Sequence, residues 1–316
     1  MSGGETRGAE WSTYWSGRAQ FEGGRAFVGA GVERDADLAD FWKQKLIERP
    51  VESRCLDLAC GAGAVVRHAV SIGFYEVTGL DISPDAIALM EEANPAAKGV
   101  IGSAHNIPLA DACMDVITSQ FGFEYAGVEE TMPEIARVLA PGGKFLAVVH
   151  MSEGEIATEC ARARQEAYDF QQSGFIEAAR DVFIKAAALE ESPDARAAYQ
   201  AAVETLRPAQ TTLTELAQSG HALARHTLTG TGKLFQRRQN YTLEDITGWL
   251  DNLHRENKAH YARMDGMLQA AMDQVQGERA LKILDMKGLR TWPLRPLRVG
   301  PDEDKIAWIL EADKPA

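Results

Sequence analysis

Leu56-Asp57-Leu58-Ala59-Cys60-Gly61-Ala62-Gly63 carries the chain out of a short apolar run and into a helical pattern. Cys55 to Ala59 is apolar and ends at glycine, which predicts a buried strand. Ala64 to Ile72 predicts the helix that follows. Glycine permits backbone dihedrals closed to other residues and lets a ligand approach the main chain. Backbone N–H groups near a helix N-terminus point outward and favour polar or anionic groups. Asp81 ends the next apolar run, Glu76 to Leu80. A carboxylate at that place can accept both ribose hydroxyls of an adenosine-bearing ligand.

Two adenosine ligands fit this logic, and two residues separate them. The dinucleotide fingerprint is G-x-G-x-x-G or A, but its third position here is Val66. Valine would obstruct close helix–strand packing. Asp57 lies inside the strand beneath the turn. It would be unfavourable beside a pyrophosphate and favourable beside the ammonium of a methionine moiety, directly or through water.

Working outward, strand and helix patterns alternate from Arg54 to His150. Ser83-Pro84 opens a helix with a capping serine and a proline in the first turn. Lys98 to Ile101, Met114 to Ser119 and Lys144 to Val149 predict three more strands. Glu129 to Leu139 predicts a helix, stopped by Pro141-Gly142-Gly143. Such alternation implies a parallel sheet with helices on both faces. Thr291 to Val299 and Lys305 to Ala312, separated by Gly300-Pro301-Asp302, predict a terminal antiparallel hairpin.

The quoted turn, followed by Val77-Thr78-Gly79-Leu80-Asp81-Ile82-Ser83, resembles the class I S-adenosylmethionine-dependent methyltransferases. Asn106-Ile107-Pro108-Leu109, Met114-Asp115-Val116-Ile117 and Glu134-Ile135-Ala136-Arg137-Val138-Leu139-Ala140-Pro141-Gly142-Gly143 extend the resemblance in order. It covers Arg54 to His150 well, and the terminal hairpin in topology. It implies an α/β fold: a Rossmann-like doubly wound, mostly parallel sheet with a terminal antiparallel hairpin and a helical insertion. The implied cofactor is S-adenosylmethionine, with S-adenosylhomocysteine as product. By resemblance Ala59, Gly61 and Gly63 form the cofactor loop, with Asp57 beneath it. Asp81 is the ribose-binding acid, and Ile82 lies against adenine. Ser103 and Ala104 read the adenine edge, although many members carry an acidic residue where Ser103 stands. Ser119 and Gln120 lie beside the transferred methyl group.

In open α/β sheets ligands sit at the carboxyl ends of strands. Phe121 to Tyr125 and His150 occupy such places. Glu124 is a candidate to orient or deprotonate an acceptor, set against a solvated or capping carboxylate. His150 is the imidazole candidate, since histidine ordinarily titrates near neutrality. Tyr125, and Tyr14 and Trp15 in the aromatic N-terminal segment, are candidates to touch the acceptor. His105 and His68 read as structural. Phe41 and Trp42 share a helical face with Leu38 and Leu46 and read as core. No Cys/His spacing fits a zinc site, and His150 with Glu153 and Glu155 matches no metal motif, so no metal is expected.

The expected divisions are an N-terminal aromatic helical segment or lid (1–52), the cofactor-binding core (53–152), a helical insertion (153–240), and a final helix with the hairpin (241–316). The insertion is rich in alanine, glutamate, arginine and glutamine. Ser173-Gly174, Ser192-Pro193, Arg207-Pro208 and Ser219-Gly220 punctuate it into several expected helices. A segment of this length is too long for a simple connection. It is expected to shape an acceptor pocket or to join subunits in a homo-oligomer. Tyr241 to Gln276 predicts one helix capped by Thr242.

The net charge of −13 opposes general nucleic-acid binding. The basic cluster Lys233, Arg237 and Arg238 reads as a solvated helix face. No stretch approaches the roughly 20 apolar residues that span a bilayer, and Met1 to Glu10 lacks a signal peptide's apolar segment. A cytoplasmic location and no membrane partner are therefore expected. The functional expectation is methyl transfer to a small-molecule acceptor by in-line displacement. Two alternatives stand beside it: a macromolecule methyltransferase acting on RNA or protein, and a non-catalytic cofactor-binding module acting through its insertion. The chain lacks the Asn/Asp-Pro-Pro-Tyr/Phe sequence of amino-methylating DNA enzymes after the fourth strand.

Overall fold

The computed structural model describes residues 32–188, 192–300 and 302–316. Tyr14 and Trp15, with the rest of the N-terminal aromatic segment before residue 32, lie outside them. The described residues form two compact units, one running up to Ala157 and resuming at Ala270–Ala316, the other from Thr158–Gln269.

In the first unit the order is α1 (Val32–Ile47), β1 (Arg54–Leu58), α2 (Ala64–Ile72), β2 (Glu76–Asp81), α3 (Pro84–Ala93), β3 (Lys98–Ile101) and β4 (Met114–Gln120). A short 3-10 turn (Phe123–Ala126), α4 (Val128–Val138) and β5 (Leu139–His150) follow. The strands make one sheet in the order β3-β2-β1-β4-β5, all parallel, continued by antiparallel β8 (Asp304–Asp313). Short β6 (Arg290–Thr291) and β7 (Arg295–Val299) pair with the far side of β8. The strand order reverses between β1 and β4, and ligands bind at such a switch point in open α/β sheets.

Burial follows the expected pattern. Leu56, Leu58, Leu80, Ile117, Phe145 and Val149 are fully or almost fully buried in one core with Ile135, Leu139 and Leu284. Leu38, Trp42 and Leu46 bury one face of α1, with Phe41 half-buried beside them. The Ser83 hydroxyl accepts from the Ala86 N–H at 3.2 Å, so it caps α3 as expected.

Several boundaries differ from the sequence expectation. β5 is assigned from Leu139, and Pro141-Gly142-Gly143 lies within its span. Met114 pairs with Leu139 and Val116 with Lys144, so residues 140–143 loop out of the pairing. The helix expected over 241–276 stops at Ala270, and α10 (Gln274–Met286) starts separately. Met272 between them gives its N–H to the His150 carbonyl at 2.8 Å, and Asp273 with Gln276 makes a capping box for the new helix. The expected strand Thr291 to Val299 is divided at Trp292-Pro293-Leu294 into β6 and β7.

The second unit is helical. It comprises most of α5 (Glu155–Gln172), then α6 (Phe175–Ala187), α7 (Pro193–Gln218), α8 (Ala222–Gln236) and most of α9 (Leu243–Ala270). Phe170, Phe175, Ile176, Phe183, Leu213, Ile246, Leu250 and Leu253 form its core. Because α9 supplies three of these, the compact unit extends to Gln269 rather than ending near 240. Arg207-Pro208 is not a break. An interior proline costs roughly 3 kcal/mol, but Leu206, Ala209, Leu213, Leu216 and Ala217 keep one apolar stripe packed through it. Lys233, Arg237 and Arg238 are exposed, as a solvated face requires.

Candidate active site

The quoted turn lies at the carboxyl end of β1, and its geometry explains its residues. Ala59 and Gly61 have φ of 52°, and Gly63 has φ of 84°. A Cβ on Gly63 would lie 2.7 Å from Met90 Cγ and 2.9 Å from Asn94 Nδ2, so both conformation and space demand glycine. Val66 is fully buried, as a large residue in the third fingerprint position must be.

Two buried carboxylates flank this turn. Asp81 takes the Gly61 N–H on Oδ2 and the Ser83 N–H on Oδ1, both at 2.9 Å. It therefore locks the turn to the end of β2. An ionised carboxylate has about four acceptor sites, so capacity remains for ribose hydroxyls. Burial pushes its pKa up, opposed by those backbone hydrogen bonds. Asp57 is 2% exposed and accepts from Thr118 Oγ1 at 2.8 Å. Burial pushes its carboxyl up to about 7, with the Thr118 hydrogen bond lowering it and the Asp81 charge raising it. A buried acid so reluctant to ionise suits a bound cation, since an ammonium would stabilise its charged form.

Ile82 is half-buried after β2. Ala104 is buried, and the Ser103 hydroxyl is hydrogen-bonded to His105 Nδ1 at 3.0 Å. His105 itself is exposed. His68 is buried on α2, and its pKa is lowered chiefly by desolvation. Arg137 clasps the adjoining loop, donating to the carbonyls of Ile107 and Leu109 and to Glu134 and Asp111.

A second turn, at the end of β4, packs directly on the first. Phe121 has φ of 53° and donates its N–H to the Val148 carbonyl at 2.8 Å. A Cβ on Gly122 would lie 2.6 Å from Ala59 Cβ and 2.9 Å from its carbonyl oxygen. Positive φ at non-glycine Ala59 and Phe121 costs on the order of 1 kcal/mol or more each and persists only where surrounding structure enforces it. Ser119 is fully buried, donating to the Leu58 carbonyl at 2.8 Å and accepting from the Phe123 N–H at 3.2 Å. Its hydroxyl therefore ties the two turns together. The Gln120 side-chain amide oxygen Oε1 accepts from the Trp42 indole N–H, a link that sequence spacing could not reveal.

Glu124 and His150, the two candidates for proton chemistry, come together here. Glu124 Oε1 lies 2.7 Å from His150 Nδ1 and also accepts the His150 backbone N–H at 3.1 Å. Glu124 Oε2 is buried with no hydrogen-bond partner among the described residues, and leaving such an oxygen unsatisfied costs about 1–3 kcal/mol. The imidazole lies 4.5 Å from the Phe121 ring, and half-buried Tyr125 meets it edge-on at 5.9 Å. Glu124 is thus neither solvated nor a helix cap. Among the described residues no three His, Cys, Asp or Glu side chains gather as a metal site.

Residues 56–147 match the family model described as a methyltransferase domain. The chain is 33% identical over 101 residues to the demethylmenaquinone methyltransferase of Chlorobaculum parvum, covering 32% of this chain and 42% of that protein. It is 32% identical over 110 residues to the Thermotoga maritima enzyme of the same name, covering 33% and 48%. The malonyl-[acyl-carrier protein] O-methyltransferase of Pectobacterium atrosepticum is 30% identical over 103 residues, covering 32% and 40%. The chain thus spans less than half the length of these relatives. Among solved structures, the YcgJ protein of Bacillus subtilis aligns over 40% of this chain and 59% of its own, at 25% identity and a TM-score of 0.35. Residues 56–147, the Rossmann-like core, are thus similar to the methyltransferase domain of S-adenosylmethionine-dependent enzymes. Among the described residues no helix is long and apolar enough to cross a membrane.

Proposed function

We propose that the protein transfers a methyl group from S-adenosylmethionine to a small-molecule acceptor. The observation that carries this reading is the contact between the two turns. Gly122 is packed on Ala59, which brings the Phe121–Tyr125 segment against the glycine turn that Asp57 and Asp81 flank. The matched relatives support it, since their names specify a menaquinone precursor and a malonyl group on a carrier protein.

S-adenosylmethionine supplies an electrophilic methyl on a sulfonium, which needs no further activation. The protein's part is to bind, orient and exclude water. Gly61 and Gly63 admit the ligand to the backbone, Asp57 balances the methionine ammonium, and Asp81 uses its remaining acceptor sites on the ribose. Ile82 flanks adenine, and Ala104 with the backbone of Ser103 meets its edge, because the Ser103 hydroxyl is engaged with His105. Ser119 and Gln120 act by shaping the second turn and fixing it to α1.

Calorimetric titration with S-adenosylhomocysteine, with NAD in parallel, tests the reading. Micromolar binding of the first alone is expected. Preferential binding of NAD, or no binding of either, would remove it.

A further inference from the structure

Gln120 ends β4 with a side chain whose orientation is chemically forced. Its Oε1 accepts from the indole N–H of Trp42, which is 1% exposed on α1. An indole donates and cannot accept, so the amide turns its oxygen to Trp42 and its NH2 group away. That group offers two N–H donors, and Nε2 makes no hydrogen bond among the described residues. Gln120 is half-buried, so its amide is not sealed in the core.

The same face of the sheet carries the more deeply buried of the two acids at the glycine turn. Thr118 stands opposite Asp57 in the register of β1 and β4, and its Oγ1 donates to Asp57 Oδ1 at 2.8 Å. Side chains two residues apart in a strand share a face. Gln120 therefore follows Thr118 on the Asp57 side, about 6.6 Å nearer the carboxyl end. A buried acid and a neutral pair of donors in that order match the two charged ends of an α-amino acid, the ammonium on the acid and the carboxylate on the amide. An arginine or lysine at 120 would instead pair with Asp57 and cancel the charge that the ammonium needs.

Resting on the methyltransferase reading, we propose that Gln120 binds the carboxylate of the cofactor's methionine moiety through Nε2. Trp42 is the positioning residue that turns the amide for it. This gives α1 a part in the site that packing alone does not require. A phenylalanine at 42 would fill the same core but leave the amide free to flip, and an amide oxygen facing a carboxylate repels it.

The test is calorimetry on the full chain with two ligands. One is S-adenosylhomocysteine, and the other is its decarboxylated analogue, S-adenosyl-3-thiopropylamine, which keeps the adenosine and the ammonium. The wild type should prefer S-adenosylhomocysteine by about tenfold or more, as a hydrogen bond to a charged group requires. Gln120→Leu should lose that preference while the analogue's affinity stays the same. Gln120→Glu can still accept from Trp42 but sets a second carboxylate against the ligand's, so it should reverse the preference. Trp42→Phe should cut the preference about threefold in the wild type and add nothing in Gln120→Leu, since the two residues act as one unit. A merely structural role would weaken both ligands alike. No preference in the wild type, equal losses for the two ligands, or a preference that survives Gln120→Leu or Gln120→Glu would overturn the proposal. Failure of the wild type to bind S-adenosylhomocysteine would overturn the methyltransferase reading beneath it.

Discussion

The two compact units solve the problem of buried polarity in opposite ways. In the sheet-based unit, polar groups are buried beside the ends of β1, β2, β4 and β5, and several lack full satisfaction. Asp57 resists ionisation, Glu124 Oε2 has no partner among the described residues, and Ala59 and Phe121 hold positive φ. In the helical unit, buried polar side chains often complete local structure. His221 accepts the Ala224 N–H as a helix cap and bonds the Glu166 carbonyl, while Asn257 bonds that of Ala167. Among the described residues the second unit also leaves Thr227 and Thr231 hydroxyls unpaired, but it gathers no comparable set of buried carboxylates. Strain and charge concentrated at strand ends mark a site for chemistry. A core of Phe170, Phe183, Leu213 and Leu250 marks an element whose first requirement is packing.

The largest expected effect strikes the contact between the two turns. Gly122→Leu drives a side chain into Ala59 and should weaken S-adenosylhomocysteine binding by more than a hundredfold, about 2.7 kcal/mol. Calorimetry measures the loss, and far-UV circular dichroism should show helix content retained. Near-normal affinity would mean that the turns do not act together.

Gly230→Val probes the other unit. A Cβ at Gly230 would lie 2.5 Å from the Trp249 ring, so overpacking should cost about 1–3 kcal/mol of stability. Denaturant unfolding should show that cost while cofactor affinity stays the same. A matching loss of affinity would erase the functional contrast between the units.

Asp81→Ala returns to the first unit with a smaller change. It removes the acceptor of the Gly61 N–H as well as the proposed ribose partner, so affinity should fall more than tenfold, about 1.4 kcal/mol. Unchanged affinity would confine Asp81 to a structural role.

The smallest effect is a pH dependence. Burial raises the Asp57 carboxyl from the usual range near 4 to about 7, so its protonated form is favoured in the free fold. This contribution to stability is present below pH 4 and is lost as pH rises towards 7. An ammonium ligand requires the ionised form. Lowering pH from 8 to 6 should therefore reduce S-adenosylhomocysteine affinity severalfold and release a proton on binding. Calorimetry in buffers of different ionisation enthalpy reads that proton. Asp57→Asn should abolish the pH dependence.

Much of the first unit was legible because its signals are local. Period, glycine position and a capping serine placed Ala64–Ile72, Lys98–Ile101 and the start of α3 without further information. The missed boundaries all depended on remote partners. Pro208 continues a helix because residues distant in sequence pack along its stripe. Ala270 ends one because the next backbone N–H groups bond elsewhere, Met272 N–H at the end of β5. At the site, the sequence nominated Glu124 and His150 separately, with a solvated or capping carboxylate as the alternative for Glu124. It gave no sign of the Trp42–Gln120 bond, or that Asp81 and Ser119 hold the turns in shape.

The sequence by itself determined the alternating core, the glycine turn and the acids at the ends of its strands. Those properties follow from backbone sterics and hydrophobic period within short windows. Only the tertiary structure decided that residues 124 and 150 are one hydrogen-bonded pair, that Gly122 packs on Ala59, and where the helical unit ends. Such pairings join residues far apart in the chain, and it is the order and register of the strands that brings them into contact.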